Sequence, residues 1–264
     1  MDKKKESVFR KRKITYSMVF ITIFALYMIA SVITEFKLAD GMKAFPEAAV
    51  WIANKLVPDA EAFTRLPNIL DKLMETALLS VAVTTIAAVV AFAFSLFGSK
   101  TLKFNGIINQ IVRMIAAFFR NVPDVVWAML LMFSFGQNIL TGFFALFFTT
   151  FGMLTRSFIE TIDEVSSECV EALDATGANF AQIVFQGIIP SSVTGVITWI
   201  LYMIETNIRS STLIGILTAT GIGYLFDMYY KRLEFASASL VVLSIVVLVI
   251  IIEMISNQLR KVIA

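Results

Sequence analysis

Histidine is absent from the sequence, and cysteine occurs once, at Cys169. The first absence removes the side chain that most often binds transition metals and serves as a general base near neutral pH. The second excludes an internal disulfide, and the neighbouring Glu168 does not favour a thiolate, so no reactivity is assigned to Cys169. No Gly-x-x-x-x-Gly-Lys-Ser/Thr phosphate loop occurs; the Gly98-Ser99-Lys100-Thr101 stretch lacks the leading glycine and the Gly-Lys adjacency. No nucleophile paired with a base, no metal-ligand cluster and no long internal repeat is evident. Charge is scarce too: Asp, Glu, Lys and Arg supply 16% of the 264 residues and the net charge is only +2, which gives no footprint for nucleic acid. Hydrophobic residues supply 58%, well above the roughly 45–50% of soluble domains, so the chain is an integral membrane protein with lipid as its surroundings.

Apolar runs near the length that crosses about 30 Å of hydrocarbon set the topology. Residues 1–13 carry Lys3, Lys4, Lys5, Arg10, Lys11, Arg12 and Lys13, which places the amino terminus in the cytoplasm. Residues 14–34 are uncharged and longer than a signal-peptide core, and are expected to form an anchoring span. Residues 35–70, with Pro46, Pro58 and Pro67, read as an external loop holding an interfacial helix around Phe45 to Leu56. A second span from Leu73 to Phe97 returns inward. The next apolar stretch, 102–137, would reach about 50 Å as one helix, and Pro123 predicts that it is kinked or broken midway. Ile139 to Thr155 forms the fourth span. From Gly187 to Phe226 the only charges are Glu205 and Arg209, which suggests an outbound span to about Leu213 and then a glycine-rich re-entrant or surface turn. Phe235 to Ile252 is the last span. Six crossings return the chain to the cytoplasm, where residues 259–264 carry Arg260 and Lys261; a seventh through residues 213–229 would reverse that end. The expected fold is all-α, a polytopic bundle of about six spans.

Between the fourth and fifth spans lies a cytoplasmic loop, 157–190, with six carboxylates from Glu160 to Asp174. Within it, "EALDATGANFAQIVFQGIIP" spans residues 171–190. Ala172 to Thr176 suits a short helix, Gly177 its left-handed stop, and Asn179 with Gln182 the start of another helix. Pro190 fits the first turn of the outbound span. The same grammar fits an ordinary structured loop.

The residue order resembles the EAA loop of ABC importer permeases, Glu-Ala-Ala, three residues, Gly, nine residues, then Ile-x-Leu-Pro; Leu173, Gly187 and Ile189 depart from it. Together with "RNVPDVVWAML" at 120–130 and "YMIETNIRSSTLIGILTATGIGYLF" at 202–226, the chain is similar to phosphonate-importer permeases over about residues 70–258. Thr218, Ala219 and Thr220 replace part of that family's glycine-rich run. The resemblance implies a type I importer core of the methionine-permease (MetI-like) kind over residues 71–258, with an extra amino-terminal span, in a bacterial inner membrane. It implies a homodimer with two ATPase subunits, which carry ATP and Mg, and an extracytoplasmic binding protein that selects the substrate. Glu171, Ala172, Ala175, Thr176, Gly177, Ala178, Asn179 and Phe180 would then be the ATPase-coupling residues.

Charges inside spans face a bundle interior or an aqueous path, which makes Arg113, Arg120, Asp124, Glu205 and Arg209 pathway candidates. Arg120 and Asp124 share a helix face only if the helix survives Pro123; Glu205 and Arg209 share one outright. Either pair serves equally to neutralise itself and pin helices together. Pro123, Trp127, Asn207, Ser210 and Thr212 complete the candidate path or gate, with interhelical hydrogen bonding or packing as their other reading. The arginine excess suits a phosphorus oxyanion. A proton-driven transporter working without an ATPase and a methionine-type permease are the competing readings.

Overall fold

The computed structural model describes the backbone of residues 2–102 and 105–263, and side chains within those ranges from residue 12 onward. The side chains of Lys3, Lys4, Lys5, Arg10 and Lys11, on which the expected orientation of the amino terminus rests, lie outside the described residues. All regular elements among the described residues are helices. They divide into two compact units, one ending at Lys55 and the other beginning at Leu56. In the first, α1 (Asp2–Ile33) contains an apolar stretch, Arg12–Ile33, long enough to cross a membrane. The second helix, α2 (Leu38–Lys55), buries no residue and carries Pro46 inside it rather than starting beside it. An exposed helix leaves solvent or lipid headgroups to take the carbonyl that Pro46 cannot satisfy.

The second unit contains α3 (Ala60–Thr64), α4 (Leu66–Gly98), α5 (Gly106–Asn121), α6 (Asp124–Phe135), α7 (Ile139–Val165) and α8 (Ser167–Ala175). It continues through α9 (Phe180–Gln182), a π segment (Ile183–Ile188), α10 (Ile189–Thr218), α11 (Gly221–Lys231) and α12 (Phe235–Ile263). The central helix is α7, against which α4, α5, α6 and α10 all pack. Small residues permit that approach, because helices in lipid associate through close van der Waals contact. Ala87, Ala88 and Ala91 of α4 meet Phe151, Leu154 and Phe158 of α7 and Met203 of α10. At Gly152 a Cβ would lie 2.6 Å from the Arg120 backbone nitrogen and 2.8 Å from the Ala116 carbonyl oxygen, so the end of α5 rests directly on α7.

Pro123 does more than kink its span. The chain is extended at Val122 (φ −89°, ψ 118°), and α5 and α6 meet at 87°. Counting that pair as one span, six segments among the described residues are long and apolar enough to cross a membrane; α1, α4, α7, the continuous Phe180–Thr218 stretch and α12 supply the others.

Two boundaries differ from expectation. Pro190 falls in the first turn of α10 as expected, but the outbound helix is continuous back to Phe180, because a π turn joins the two: Ile189 N–H bonds the Val184 carbonyl, five residues back. The wider turn relieves the clash of the Pro190 ring with the preceding turn, and the Ser191 and Ser192 hydroxyls donate to the Ile188 carbonyl at 3.1 and 2.6 Å. At the other end, α10 continues past Leu213 to Thr218, and the glycine-rich stretch forms α11. Eleven residues rise only about 16 Å, too short to cross the membrane. The turn holds Ala219 in left-handed backbone (φ 55°, ψ 41°). Glycine serves here for both turning and contact: Gly221 is left-handed (φ 57°), and a Cβ at Gly223 would stand 2.0 Å from the Thr212 carbonyl oxygen.

The hairpin can be tested from both sides. Gly223→Ala is expected to destabilise the protein by about 1–3 kcal/mol through overpacking. Ala219→Gly is expected to stabilise it by about 0.5–1 kcal/mol, the left-handed strain less the entropy glycine adds to the unfolded chain. Thermal unfolding in detergent reads both; a midpoint unchanged or lowered by Ala219→Gly would contradict the strain.

Candidate functional site

The α8–α9 connection is built from two local devices. At its first end, Gly177 (φ 80°) donates to the Asp174 carbonyl at 3.0 Å and Ala178 to the Leu173 carbonyl at 3.2 Å, the Schellman pattern that closes a helix in left-handed backbone. At its second, Asn179 and Gln182 form a reciprocal capping box: Gln182 N–H donates to Asn179 Oδ1 at 2.9 Å and Asn179 N–H to Gln182 Oε1 at 2.8 Å. Val170, Ile183, Val184 and Ile188 are buried together with Ile162 of α7. That leaves Glu171, Ala172, Ala175, Thr176, Gly177, Asn179 and Phe180 exposed, with Ala178 half-buried. Two departures from the importer pattern compensate each other. A Cβ at Gly187, where the pattern has isoleucine, would lie 2.9 Å from Leu173 Cδ1, which stands where the pattern has alanine. Bulk has moved from the π segment to α8.

A carboxylate clamp fixes the neighbouring α4–α5 turn. Asp163 Oδ1 accepts from Ser99 Oγ at 2.6 Å and from the Lys100 and Thr101 backbone N–H groups at 2.9 and 3.3 Å. Its Oδ2 accepts from Arg113 Nη2 at 2.8 Å, and Arg113 Nε donates to the Gly98 carbonyl at 3.0 Å. Arg113, a pathway candidate by sequence, thus ties α5 to the end of α7, and residues 98–101 wrap a carboxylate of their own chain.

Inside the bundle, α4 carries buried hydroxyls at Thr76, Ser80 and Thr84, one per turn along the face toward α10 and α11. Thr76 Oγ1 accepts from Ile222 N–H at 2.9 Å, Ser80 Oγ donates to Ser211 Oγ at 3.2 Å, and Asn207 Nδ2 donates to Thr84 Oγ1 at 2.8 Å and to Thr150 Oγ1 of α7 at 2.9 Å. Sequence reading missed the α4 residues, although their four-residue spacing in an apolar run was the available signal. Asn207 is therefore buried between α4 and α7. Glu205 and Arg209, two residues either side, lie on the opposite face and pair at 3.1 Å. Ser210 and Thr212 are half-buried, and the Thr212 hydroxyl donates to the Ile208 carbonyl at 3.3 Å.

Arg120 and Asp124 flank the break, so they no longer share a helix face, and no ion pair joins them among the described residues. The Asp124 carboxylate instead accepts from Val125 N–H at 2.9 Å in the first turn of α6, where negative charge complements the helix dipole. Arg120 and Pro123 are exposed. Trp127 packs among Phe118, Phe119 and Phe148, with ring centroids 4.9–6.0 Å away, and its indole N–H is enclosed without a partner.

Residues 91–264 match the family described as binding-protein-dependent transport system inner membrane component. Over 257 residues, 97% of the chain and 89% of the relative, it is 28% identical to HtxC of Stutzerimonas stutzeri, a permease protein named for phosphite transport. It is 26% identical over 189 residues to the phosphate-import permease protein PhnE of Mycolicibacterium smegmatis, 72% of this chain and 36% of that one. In fold it is similar to a chain of the inward-facing MetNI methionine ABC transporter, with a TM-score of 0.62 and 18% identity over 75% of this chain and 98% of that one.

The Leu173–Gly187 exchange predicts non-additive stability. Gly187→Ile should cost about 1–3 kcal/mol by overpacking and Leu173→Ala about 2 kcal/mol by loss of buried surface. The double variant should cost less than the sum, read from unfolding midpoints in detergent; strict additivity would show that the residues do not share space.

Proposed function

Because the chain belongs to the family of binding-protein-dependent transport system inner membrane components, we propose that it is the permease subunit of an ATP-driven importer for phosphonate or a related phosphorus oxyanion. The observation that carries this reading is the exposed, doubly capped turn at residues 171–180, packed on its inner side and open on its outer side. An outward face of small residues on a rigid base suits insertion into a cleft of a separate protein. The substrate class is supported by the names of the similar permeases and by guanidinium groups within the spans, which recognise tetrahedral oxyanions through paired N–H donors.

In this reading two copies of the chain sit in a bacterial inner membrane with both termini in the cytoplasm. Two ATPase subunits bind ATP and Mg, and hydrolysis belongs to them rather than to this chain. An extracytoplasmic binding protein delivers the anion. Closure of the ATPases carries the two turns toward each other, and α10, continuous with the turn, moves with them. The anion then passes the Arg120 and Arg209 region, with Asp124, Trp127, Asn207, Ser210 and Thr212 shaping or bracing the path.

The test is uptake of labelled methylphosphonate into vesicles holding the chain, its ATPase and its binding protein, comparing native protein with Gly177→Asp. No atom lies within 4 Å of a Cβ at Gly177, so the substitution leaves packing intact and costs only about 1 kcal/mol of backbone strain. It places a charge on the docking face. Uptake is expected to need ATP and to fall to background in the variant while membrane insertion persists. Uptake without the ATPase, or normal transport by the variant, would refute the coupling role.

A further inference from the structure

Glu205 holds two arginines. Its Oε1 lies 3.1 Å from Arg209 Nη2 on α10, and its Oε2 lies 4.0 Å from Arg260 Nη2 in the last turn of α12. In the sequence, Arg260 belongs to the basic carboxyl end; the fold brings it to the charge pair of the outbound span. Its environment is unusual. Nε and Nη2 are closed off from solvent and make no hydrogen bond among the described residues, while Nη1 donates to Asn257 Oδ1 at 3.3 Å. A guanidinium keeps its charge and directs five N–H donors in a plane, so enclosing donors that only a carboxylate 4.0 Å away balances is unfavourable unless another acceptor uses them. Two guanidinium groups against one carboxylate also leave an excess positive charge. The carboxylate is the shielded member, its side chain 12% exposed, whereas Arg209 is 52% exposed.

We propose that Arg260 is a binding residue for the transported anion, and that Glu205 is the placeholder whose hold on the two arginines the anion takes over. This rests on the permease reading above. A phosphorus oxyanion reaching Arg209 offers up to three oxygens, enough to take donors from both arginines at once. Glu205 remains beside it, and its repulsion keeps the stay brief: a dianion in the cluster makes the summed charge negative, which favours release. Binding strong enough to enter and weak enough to leave is the requirement of any conduction path.

A simple fastening of α12 to α10 would use the same contacts, and the two roles predict different signs. The experiment takes the complete transporter, full chain with ATPase, and measures labelled phosphite retained in the absence of binding protein, alongside ATP-driven uptake with it. Glu205→Gln is expected to retain about tenfold more phosphite than native and Arg260→Gln about tenfold less, with Arg260→Lys near native. If Glu205→Gln and Arg260→Gln shift retention in the same direction, or Arg260→Gln leaves it unchanged, the proposal is overturned and the contact is a fastening. Should Arg260→Gln fail to assemble with the ATPase, Glu205→Gln decides alone, since retention no greater than native overturns the placeholder role. Absence of ATP-driven uptake in the native complex would instead overturn the permease reading, a result distinguishable from unaltered variants.

Discussion

An amide buried in hydrocarbon must find hydrogen-bond partners, and Asn207 finds two, on different helices. Its Nδ2 donates to Thr84 of α4 and Thr150 of α7, which fixes the rotation of α10 about its own axis. Everything else on α10 follows from that choice. Residues two positions away on a helix point to the opposite side, so Glu205 and Arg209 are turned away from α4 and α7, toward Arg260 of α12 and the exposed surface. Rotation sufficient to bring either charge against α7 would strand the amide. The apolar contacts among Ala87, Ala91, Phe151 and Phe158 hold the three helices together, but such contacts tolerate sliding in a way that a saturated amide does not.

The α4–α5 turn obeys the same rule with a carboxylate in place of the amide. Asp163 satisfies the hydroxyl and backbone donors of residues 99–101 and the guanidinium of Arg113, joining the ends of α4, α5 and α7. This makes the base on which α8 stands rigid, so that the exposed turn after it is presented at a fixed place. Of the carboxylates in that acidic loop, Asp163 is a clamp and Glu160 pairs with Arg156 at 2.5 Å. Local composition alone does not separate such structural charges from those left to meet a partner.

The legible parts of the chain were those whose cause is local. Pro123 broke its helix, Gly177 adopted left-handed backbone, and Asn179 with Gln182 closed a capping box, because each outcome depends on a few adjacent residues. The illegible parts depend on distant chain. Thr76, Ser80 and Thr84 looked like tolerated hydroxyls until α10 and α11 supplied their partners, and Arg260 looked like a terminal charge until α12 placed it beside Glu205. Pro190 was legible in part, since it sits in the first turn of α10 but the helix does not begin there. A proline near an apolar run is a sound signal of a helix start, but a π turn offers the chain a second way to accommodate the ring, and the Ser191 and Ser192 hydroxyls, already in the sequence, supply hydrogen bonds to the carbonyls around it. At Gly221 and Gly223 the residue type was informative: Gly221 serves both left-handed backbone (φ 57°) and close approach to Thr76, and Gly223 close packing against α10.

The π segment has a mechanical meaning. The chain from Phe180 to Thr218 is continuous helix, so no break in the hydrogen-bonded run separates the capped turn from the charge pair. Glu205 stands about 38 Å along that rod from Phe180. Asn207 and Thr84 act as a fulcrum beside it, so a displacement applied at the short, capped end tilts the rod about a point close to the charges and moves them little. In the proposed cycle the larger excursion falls on the arm that carries the capped turn, and the charged cluster is swivelled rather than carried. A break in the helix at Pro190 would instead have let such a push dissipate in bending beside the turn.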